Sequence, residues 1–220
     1  MKKQLFIMIL MSFIGCSSSG TNTISETKNT ATKEIINKQA EEQKKIQAID
    51  AQLADVKLTN DKKKNLLFEK SDLLIKLEKY EDALLTLKEL GGMSDAYKVK
   101  GYYYNIGYSN YKLGKYSDAV VAMNHSKVFD KGYKQNERYR IIARSYFQME
   151  KYGPGIKALA SAAKDDSFNK DLEYYEMVSR GFKEINLCKR SIKIASEGLV
   201  KFPENSSLLK IKKECEVGVQ

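Results

Sequence analysis

Residues 62–216 carry a repeating order of large and small side chains. An aromatic column, which ends in a cysteine, recurs at an interval of 36 residues: Tyr80, Tyr116, Tyr152 and Cys188. A small residue stands three positions after each: Ala83, Ala119, Gly155 and Ser191. A bulky column and a second small column keep the same interval: Leu67, Tyr103, Tyr139 and Tyr175, then Ser71, Gly107, Ala143 and Ser179. Four columns that keep one register without a gap indicate an internal repeat.

The small residues in this pattern predict pairs of closely packed helices. Where two antiparallel helices cross, a small side chain lets the backbones approach, and large neighbours fill the remaining space. Gly114 and Lys115 mark the turn inside one pair. Pro154 falls in the first turn of a second helix, where its missing N–H costs little, and Pro203 ends the fourth unit. Each unit is therefore predicted to be a helical hairpin.

The segments on both sides of the repeats are predicted to add helices. Residues 33–58 lack glycine and proline and abound in helix formers, which predicts one long helix. Its apolar positions form a narrow seam: Ile46, Ile49, Leu53 and Val56. Such a seam suits a short coiled coil between two copies or packing on the following domain, and we favour the packing. Beyond the fourth unit, the register continues for one capping helix with a polar outer face, through Leu208, Leu209, Ile211, Lys212 and Cys215.

The first 15 residues have the pattern of an export leader. Lys2 and Lys3 precede an uncharged, mostly apolar run over residues 5–14, which ends at Gly15 and Cys16. A charged start, a short apolar run and a small residue before the cut are typical of secretory leaders. As a helix the run would reach ~15 Å, about half the thickness of the hydrocarbon layer, so it is too short to span a membrane.

The segment Phe13-Ile14-Gly15-Cys16 resembles the lipobox of bacterial lipoproteins. The resemblance implies that residues 1–15 are a signal peptide and that Cys16 becomes the lipidated first residue. Residues 16–32 would then be a flexible tether, because they are rich in polar residues and offer little apolar surface to bury. Two or three acyl chains would hold the protein on a membrane. The alternative is an ordinary secretory leader cut nearby, with no special role for Cys16.

The columns of residues 62–216 are similar to those of the tetratricopeptide repeat (TPR). The matches are Tyr103, Ile106, Gly107, Ala119, Met123 and Ser126 in the second unit, Tyr139, Ile142, Ala143, Tyr146, Leu159 and Ala162 in the third, and Tyr175, Val178, Ser179, Phe182, Ser191, Gly198 and Pro203 in the fourth. The first unit is weaker, because Lys70 occupies the leucine position. The resemblance implies an all-α fold: a right-handed α-solenoid of about four TPR helical hairpins plus a C-terminal capping helix, preceded by a long N-terminal helix and a disordered tether.

The resemblance also implies a concave groove lined by the first helix of each hairpin. The corresponding positions are Phe68, Asp72, Ile75, Tyr104, Tyr108, Tyr111, Arg140, Arg144, Phe147, Arg180 and Lys183. Aromatic residues at one end give way to basic residues at the other, which suits an extended peptide with acidic or carboxylate groups. The family's two-carboxylate clamp is not expected, because only Asn105 fits it. The alternative is that the tyrosines only pack and the arginines are only solvated.

Composition and candidate chemistry narrow the function further. The chain has 38 Lys and Arg against 28 Asp and Glu, a net charge of +10. This excess favours acidic partners or anionic lipids, although a merely solvated surface would also explain it, and nucleic acid is not expected as a partner of an exported protein. No catalytic residue, metal site or cofactor is predicted, because His125 stands in no nucleophile motif and no phosphate-binding loop occurs. Cys188 and Cys215 could pair in an oxidising compartment, but their apolar neighbours favour two buried thiols.

The sequence therefore predicts a lipoprotein, without enzyme activity, that recruits or scaffolds other envelope proteins or peptides. Ser17 is not the aspartate that commonly retains lipoproteins at an inner membrane, so the resemblance favours the outer membrane, facing the periplasm, with the cell surface as the alternative. Three roles fit: an accessory of outer-membrane protein assembly, an adaptor for cell-wall enzymes, and a surface protein that binds a host or environmental ligand. No oligomeric state is predicted.

Overall fold

The structure, a computed structural model, describes residues 22–217, with side chains from residue 33 onward. The predicted signal peptide, residues 1–15, and the predicted lipidation site Cys16 lie outside the described residues. The chain divides into two units, residues 1–42 and 43–220. The regular structure within residues 22–217 is all helical, with ten α-helices and a short 3-10 helix, Ala96–Lys98. In this part of the chain, no helix combines the length and apolar character that crossing a membrane requires.

Four helical hairpins and a capping helix follow the first helix. The α-helices are α1 (Asn22–Leu53), α2 (Asn60–Lys76), α3 (Tyr80–Gly91), α4 (Tyr102–Lys112), α5 (Tyr116–Phe129), α6 (Gln135–Gln148), α7 (Tyr152–Ala162), α8 (Leu172–Glu184), α9 (Cys188–Lys201) and α10 (Ser206–Val217). The hairpins are α2 with α3, α4 with α5, α6 with α7, and α8 with α9, and α10 packs on α8 and α9. Each second helix begins at a member of the predicted aromatic column. The predicted solenoid of TPR-like hairpins with a capping helix is confirmed.

Helix α1 differs from the predicted helix at both ends. It begins at Asn22 instead of Lys33, so the later part of the segment expected to be a flexible tether is helical, and it ends at Leu53 instead of Leu58. Residues 22–53 contain no glycine or proline. The Thr and Asn residues in this range cost only about half a kcal/mol each relative to alanine, so polarity alone does not stop a helix.

The C-terminal part of α1 packs on the first hairpin. The sequence favoured this packing over a coiled coil between two copies. Ile46 and Ile49 are buried in one cluster with leucines of α2. Val56, predicted to continue the seam, lies beyond the end of the helix and is 97% exposed. Lys70, the departure from the TPR pattern, has its Nζ 2.5 Å from Oδ1 of Asp50 in α1. This lysine thus faces a helix that precedes the repeats.

The small residues of the repeat mark the helix crossings. All members of both small columns are buried. A Cβ placed on Gly107 would lie 2.9 Å from Cε of Met123, and one placed on Gly155 would lie 2.5 Å from Cδ2 of Phe147. Real Cβ atoms do not come this close to other heavy atoms. The helices of the second hairpin, and likewise those of the third, can therefore approach this closely only because residues 107 and 155 have no side chain.

A buried arginine of α6 binds the turn that follows the second hairpin. Arg138 of α6 is 1% exposed. Its guanidinium donates hydrogen bonds to the carbonyl oxygens of Asp130 (3.1 Å), Lys131 (3.0 Å) and Tyr133 (3.2 Å), just beyond the C-terminus of α5. Burial lowers the pKa of Arg138. The negative end of the helix dipole and the paired carbonyl groups offset the cost of burying the charge.

Candidate functional site

A depression of about 410 Å³ opens between α2, α4 and α6. These first helices are neighbours, since α2 contacts α4 and α4 contacts α6. We call the depression the tyrosine pocket. Its lining contains four tyrosines, three lysines, three acids, one asparagine and one isoleucine: Tyr80, Tyr104, Tyr108, Tyr133, Lys76, Lys112, Lys134, Asp72, Glu78, Glu137, Asn105 and Ile75.

Four tyrosine rings form the floor and walls of the pocket. Tyr104 is only 2% exposed, so its side chain is part of the core. Its ring stacks on Tyr108 with centroids 6.1 Å apart and meets the ring of Tyr133 edge-on at 5.5 Å. Tyr80 packs edge-on against Tyr108 at 6.3 Å. Burial, followed by the neighbouring Glu137 carboxylate, raises the pKa of Tyr104, so its hydroxyl stays protonated at neutral pH.

Lysines lie over these aromatic faces. Nζ of Lys134 is 4.6 Å from the ring centroid of Tyr104, and Nζ of Lys112 is 5.6 Å from that of Tyr108. Such cation–π contacts are worth roughly 0.5–1 kcal/mol at exposed sites. Among the described residues, neither these two lysines nor Lys76 forms an ion pair with a carboxylate. Their positive charges remain available to an incoming anion.

Two of the three acids of the pocket interact with polar groups of the protein. Nδ2 of Asn105 donates a hydrogen bond of 2.6 Å to Oδ1 of Asp72 across the α2–α4 boundary. The same amide lies 3.4 Å from Oγ of Ser71. Glu137 lies beside the hydroxyl of Tyr104 and contributes to its raised pKa. Asn105, the one residue that fits the family's carboxylate clamp, therefore joins two hairpins here.

The predicted basic end of the groove is held by ion pairs between α6 and the start of α8. Nε and Nη2 of Arg144 each lie 2.6 Å from an oxygen of Glu173, a bidentate pair. Arg140 lies 3.0 Å from Asp171 and 3.4 Å from Glu173. The hydrogen bonds to Glu173 raise the pKa of Arg144. Both guanidinium groups therefore connect the third and fourth hairpins instead of standing free in the groove.

The remaining predicted groove residues at this end also have internal contacts. Phe147 is 8% exposed, and its ring occupies the space in which a Cβ of Gly181 would lie. The guanidinium of Arg180 lies 5.6 Å from that ring and is exposed. Nζ of Lys183 is 2.7 Å from Oε2 of Glu214 in α10. Phe147 thus serves packing, and Lys183 holds the capping helix.

The structure divides the predicted groove residues from Tyr104 to Lys183, except Tyr111, into two groups. It brings Tyr104 and Tyr108 together in the tyrosine pocket and places the five residues from Arg140 to Lys183 along α6 and α8. Tyr111 lies outside the lining and packs 6.0 Å from the ring of Tyr116.

Sequence reasoning missed seven residues of the pocket: Lys76, Glu78, Tyr80, Lys112, Tyr133, Lys134 and Glu137. Tyr80 opens the aromatic column, but the column indicated a turn and gave no direction for the ring. Tyr133 and Lys134 precede α6, and Lys134 has a positive φ of 44°. No helical periodicity reaches such a position, so the pattern could not place these side chains.

The candidate chemistry outside the pocket shows no catalytic arrangement in the part of the chain that is described. His125 is exposed, as expected, and its ring stacks on Tyr103 at 5.0 Å. Within the described residues no group of three or more His, Cys, Asp or Glu side chains could hold a metal ion.

Comparisons with known proteins concern the fold. Two crystal structures of MamA superimpose on this chain with TM-scores of 0.59 at 16% sequence identity, and they cover 71% and 72% of this chain and 80% and 87% of their own. The crystal structure of TTC0263, a thermophilic TPR protein in Thermus thermophilus, has a TM-score of 0.45 at 11% identity and covers 78% of this chain and 89% of its own. No protein-family model and no curated protein matches the sequence. The feature shared with the MamA structures is the fold alone.

Proposed function

We propose that this protein is a scaffold or adaptor that binds an extended segment of a partner polypeptide along α2, α4 and α6. The single observation that carries the proposal is the tyrosine pocket, an aromatic depression bordered by lysines that form no ion pair with the carboxylates of residues 33–217. Rigid aromatic walls are typical of the pockets that hold the anchor side chains of protein interfaces. The proposal assigns the chain no catalytic step.

The pocket chemistry indicates an aromatic side chain next to an acidic group. A partner ring can stack on Tyr80 and Tyr108, which are half-buried and retain accessible faces. A neighbouring carboxylate can then pair with Lys112 or Lys134, which are exposed and can leave the tyrosine rings without disturbing the core. Asp72 accepts a hydrogen bond from Asn105 and Glu137 adjoins the Tyr104 hydroxyl, so of the three acids in the lining only the exposed Glu78, which also acts on Lys112, competes with a ligand carboxylate for the lysines.

We place the binding site in the tyrosine pocket and not at the arginines. Charge reversal at Arg140 or Arg144 would put like charges beside Asp171 and Glu173 and separate two hairpins. A loss of binding in such variants would not distinguish a broken site from a broken fold. Lys112 and Lys134 offer a cleaner test, because their cation–π contacts are weak and exposed.

We further propose that the scaffold is a bacterial lipoprotein anchored through Cys16, most simply at the outer membrane facing the periplasm. The supporting observation is the sequence Gly15-Cys16 after an apolar run that is too short to span a bilayer. The partners would then be other envelope proteins, with a role in outer-membrane protein assembly as the first candidate.

Site-specific crosslinking tests the binding proposal. A photoreactive phenylalanine at Tyr108 should crosslink a defined partner in cells, whereas the same group at Lys157, exposed on the outer helix α7, should not. The double variant Lys112→Glu/Lys134→Glu should remove the crosslink, and the matched variant Lys157→Glu should keep it. Equal crosslinking from positions 108 and 157, or a crosslink unaffected by the double variant, would contradict the proposal.

A defined peptide series tests the ligand chemistry. Fluorescent heptapeptides with a central phenylalanine flanked by glutamates should bind more tightly than those with a central alanine or flanking lysines. Replacing the phenylalanine should weaken binding at least tenfold, or about 1.4 kcal/mol. Higher salt should weaken it further, since the carboxylate contacts are exposed. Equal binding of all peptides would contradict the aromatic and acidic preference.

Labelling with a palmitate analogue tests the anchor separately. The chain should incorporate the label and fractionate with membranes, and Cys16→Ser should abolish both. Protease treatment of intact cells would then separate a periplasmic from a surface location. An unlabelled mature chain would contradict the lipoprotein proposal and leave the pocket proposal standing.

A further inference from the structure

Two cysteines far apart in sequence meet where the capping helix joins the fourth hairpin. Cys188 is the first residue of α9, and Cys215 lies close to the C-terminus of α10. Their Sγ atoms are 2.6 Å apart, and both residues are free cysteines. Cys215 is fully buried, whereas Cys188 is partly exposed.

We propose that Cys188 and Cys215 are a modification site that forms an intramolecular disulfide and fastens the capping helix to the fourth hairpin. A disulfide needs its two sulfurs about 2.05 Å apart, and sulfurs that are already in contact reach that separation by a small movement of the side chains. The expectation of two separate buried thiols considered the apolar surroundings of each cysteine and could not show that they meet.

Other contacts already hold the two helices in the required register. The ion pair of Lys183 with Glu214 lies one residue from Cys215. The side chain of Leu208 is fully buried and occupies the space above Gly198 of α9. Because α10 is anchored near both ends, the two sulfurs meet repeatedly without a large loss of chain entropy at the moment of oxidation.

The two cysteines have different roles in the oxidation. The thiolate of the more accessible Cys188 attacks one sulfur of a disulfide oxidant, such as oxidised glutathione or a dithiol oxidase, and displaces the other sulfur as a thiolate. The Cys215 thiolate then attacks Sγ of Cys188 and releases the second sulfur of the oxidant. The cysteines lose two electrons and two protons, and the oxidant becomes two thiols. The hydrogen bond to Cys215 raises the pKa of Cys188, so less of this thiol is ionised near neutral pH. Because the thiolate is the attacking species, the oxidation accelerates as the pH rises.

Peptide mapping of the native full-length chain tests the disulfide directly. After incubation with oxidised glutathione, alkylation and tryptic digestion, peptides 184–189 and 214–220 should appear as one linked species, lighter by two hydrogen atoms than their sum. The Cys16 peptide separates from both, so it does not interfere. The same chain unfolded in urea serves as the control for the oxidant. If the oxidant links the cysteines in urea but leaves both thiols of the native chain fully open to alkylation, the proposal is overturned.

Single variants test the order of attack. Cys215→Ser should trap a stable glutathione adduct at Cys188, since the resolving thiol is absent. Cys188→Ser should leave Cys215 at least tenfold slower to react in the native state, because its sulfur is buried. Equal reactivity of the two cysteines in these variants would overturn the assigned roles.

Hydrogen exchange tests what the bond does. Oxidation should slow amide exchange in α10 by at least tenfold relative to the reduced chain and leave α2 and α3 unchanged. The Cys188→Ser/Cys215→Ser variant should match the reduced chain under both conditions. If oxidised and reduced chains exchange equally in α10, the bond does not fasten the cap and this part of the proposal is wrong.

Discussion

Four residues between paired helices take a left-handed backbone conformation at the spacing of the repeat: Glu78, Gly114, Glu150 and Asn186 have φ values of 57°, 73°, 57° and 58°. The next residue donates its N–H to a carbonyl five residues back, as from Lys115 to Asn110 and from Lys151 to Tyr146. This Schellman motif ends the first helix of every hairpin. The sequence revealed only the glycine of this column, because two of the other residues are glutamates, which rarely take the conformation, and a single asparagine is not specific for it.

Two substitutions at these left-handed positions should change the free energy of unfolding in opposite directions. Glu150→Gly should raise the free energy of unfolding by about 0.5–1 kcal/mol, because a non-glycine residue at positive φ is strained. Gly114→Ala should lower it by about 1 kcal/mol, although no atom lies within 4 Å of the added Cβ. Urea denaturation measures both changes.

Gly132 provides the control for these turn variants. It lies in the turn between α5 and α6, again with nothing within 4 Å of an added Cβ, but without a positive φ. Gly132→Ala should therefore stabilise the protein by about 0.4–1 kcal/mol, because it restricts the unfolded chain. A destabilised Gly132→Ala, or a neutral Gly114→Ala, would show that the backbone conformation is not the cause.

At the scale of helices, ion pairs connect successive hairpins along the inner face. Arg144 and Glu173 join α6 to α8, and Lys183 and Glu214 join α8 to α10. The sequence identified Arg144 and Lys183 as surface positions on first helices, which is their actual location. The sequence predicted that both side chains bind a partner protein. Their acidic neighbours belong to later helices, and sequence spacing does not show which helices meet.

A charge-swap cycle should reveal the connection between α6 and α8. Arg144→Glu should lower the free energy of unfolding by about 1 kcal/mol, and adding Glu173→Arg should recover only part of that loss, because the introduced arginine also faces Arg140. Both side chains are about one third exposed, which keeps the coupling modest. Urea titrations of the two single variants and the double variant give the coupling energy. Purely additive effects would show that this pair contributes nothing between hairpins.

The pair at the capping helix should make its stability depend on pH. The hydrogen bond from Lys183 holds the pKa of Glu214 below its ordinary value of 4.5. The stabilising contribution of a carboxylate with a lowered pKa is present above 4.5 and is lost as the pH falls through the lower folded-state value. Amide exchange in α10, corrected for its intrinsic rate, should therefore accelerate below about pH 4.5.

Two glutamine variants separate this pair from general acid effects. Glu214→Gln should remove the acid-dependent part of the exchange in α10, since no carboxylate remains to be protonated there. Glu204→Gln, at an exposed position outside the ion pairs of the described residues, should leave it unchanged. The same acid dependence in both variants would contradict the assignment to Glu214.

At the scale of the molecule, stability in residues 60–217 arises between neighbouring hairpins. Each hairpin contacts the next one, and α10 covers the last. Arrays of this kind unfold in parts, because each repeat contacts only its neighbours. The capping helix therefore protects the fourth hairpin more than the others.

Truncation after residue 205 should expose that hairpin. The truncated chain loses the buried side chains of Leu208 and Ile211, so α8 and α9 should exchange their amides on the order of tenfold faster or more. Exchange in α2 and α3 should stay unchanged. Hydrogen exchange followed by mass spectrometry measures both regions. Uniform acceleration across all hairpins would show one cooperative unit instead of an array.

The sequence by itself determined the helical repeat, its period, the turn at Gly114 and Lys115, and the small residues at the crossings. These features depend on residues a few positions apart in a regular helix, so their order along the chain is sufficient. It also indicated the capping helix, because the register continues through Leu208 and Ile211.

Only the tertiary structure decided which side chains face each other across hairpins. It placed Tyr133 and Lys134 in the pocket, paired Arg144 with Glu173, buried Arg138, and brought Cys188 to Cys215. These contacts join residues that loops and left-handed turns position, and their geometry depends on how successive hairpins stack. Periodicity shows which face of its helix a residue occupies, because it describes each helix separately. The residue that it meets on another helix is set by how the helices pack together.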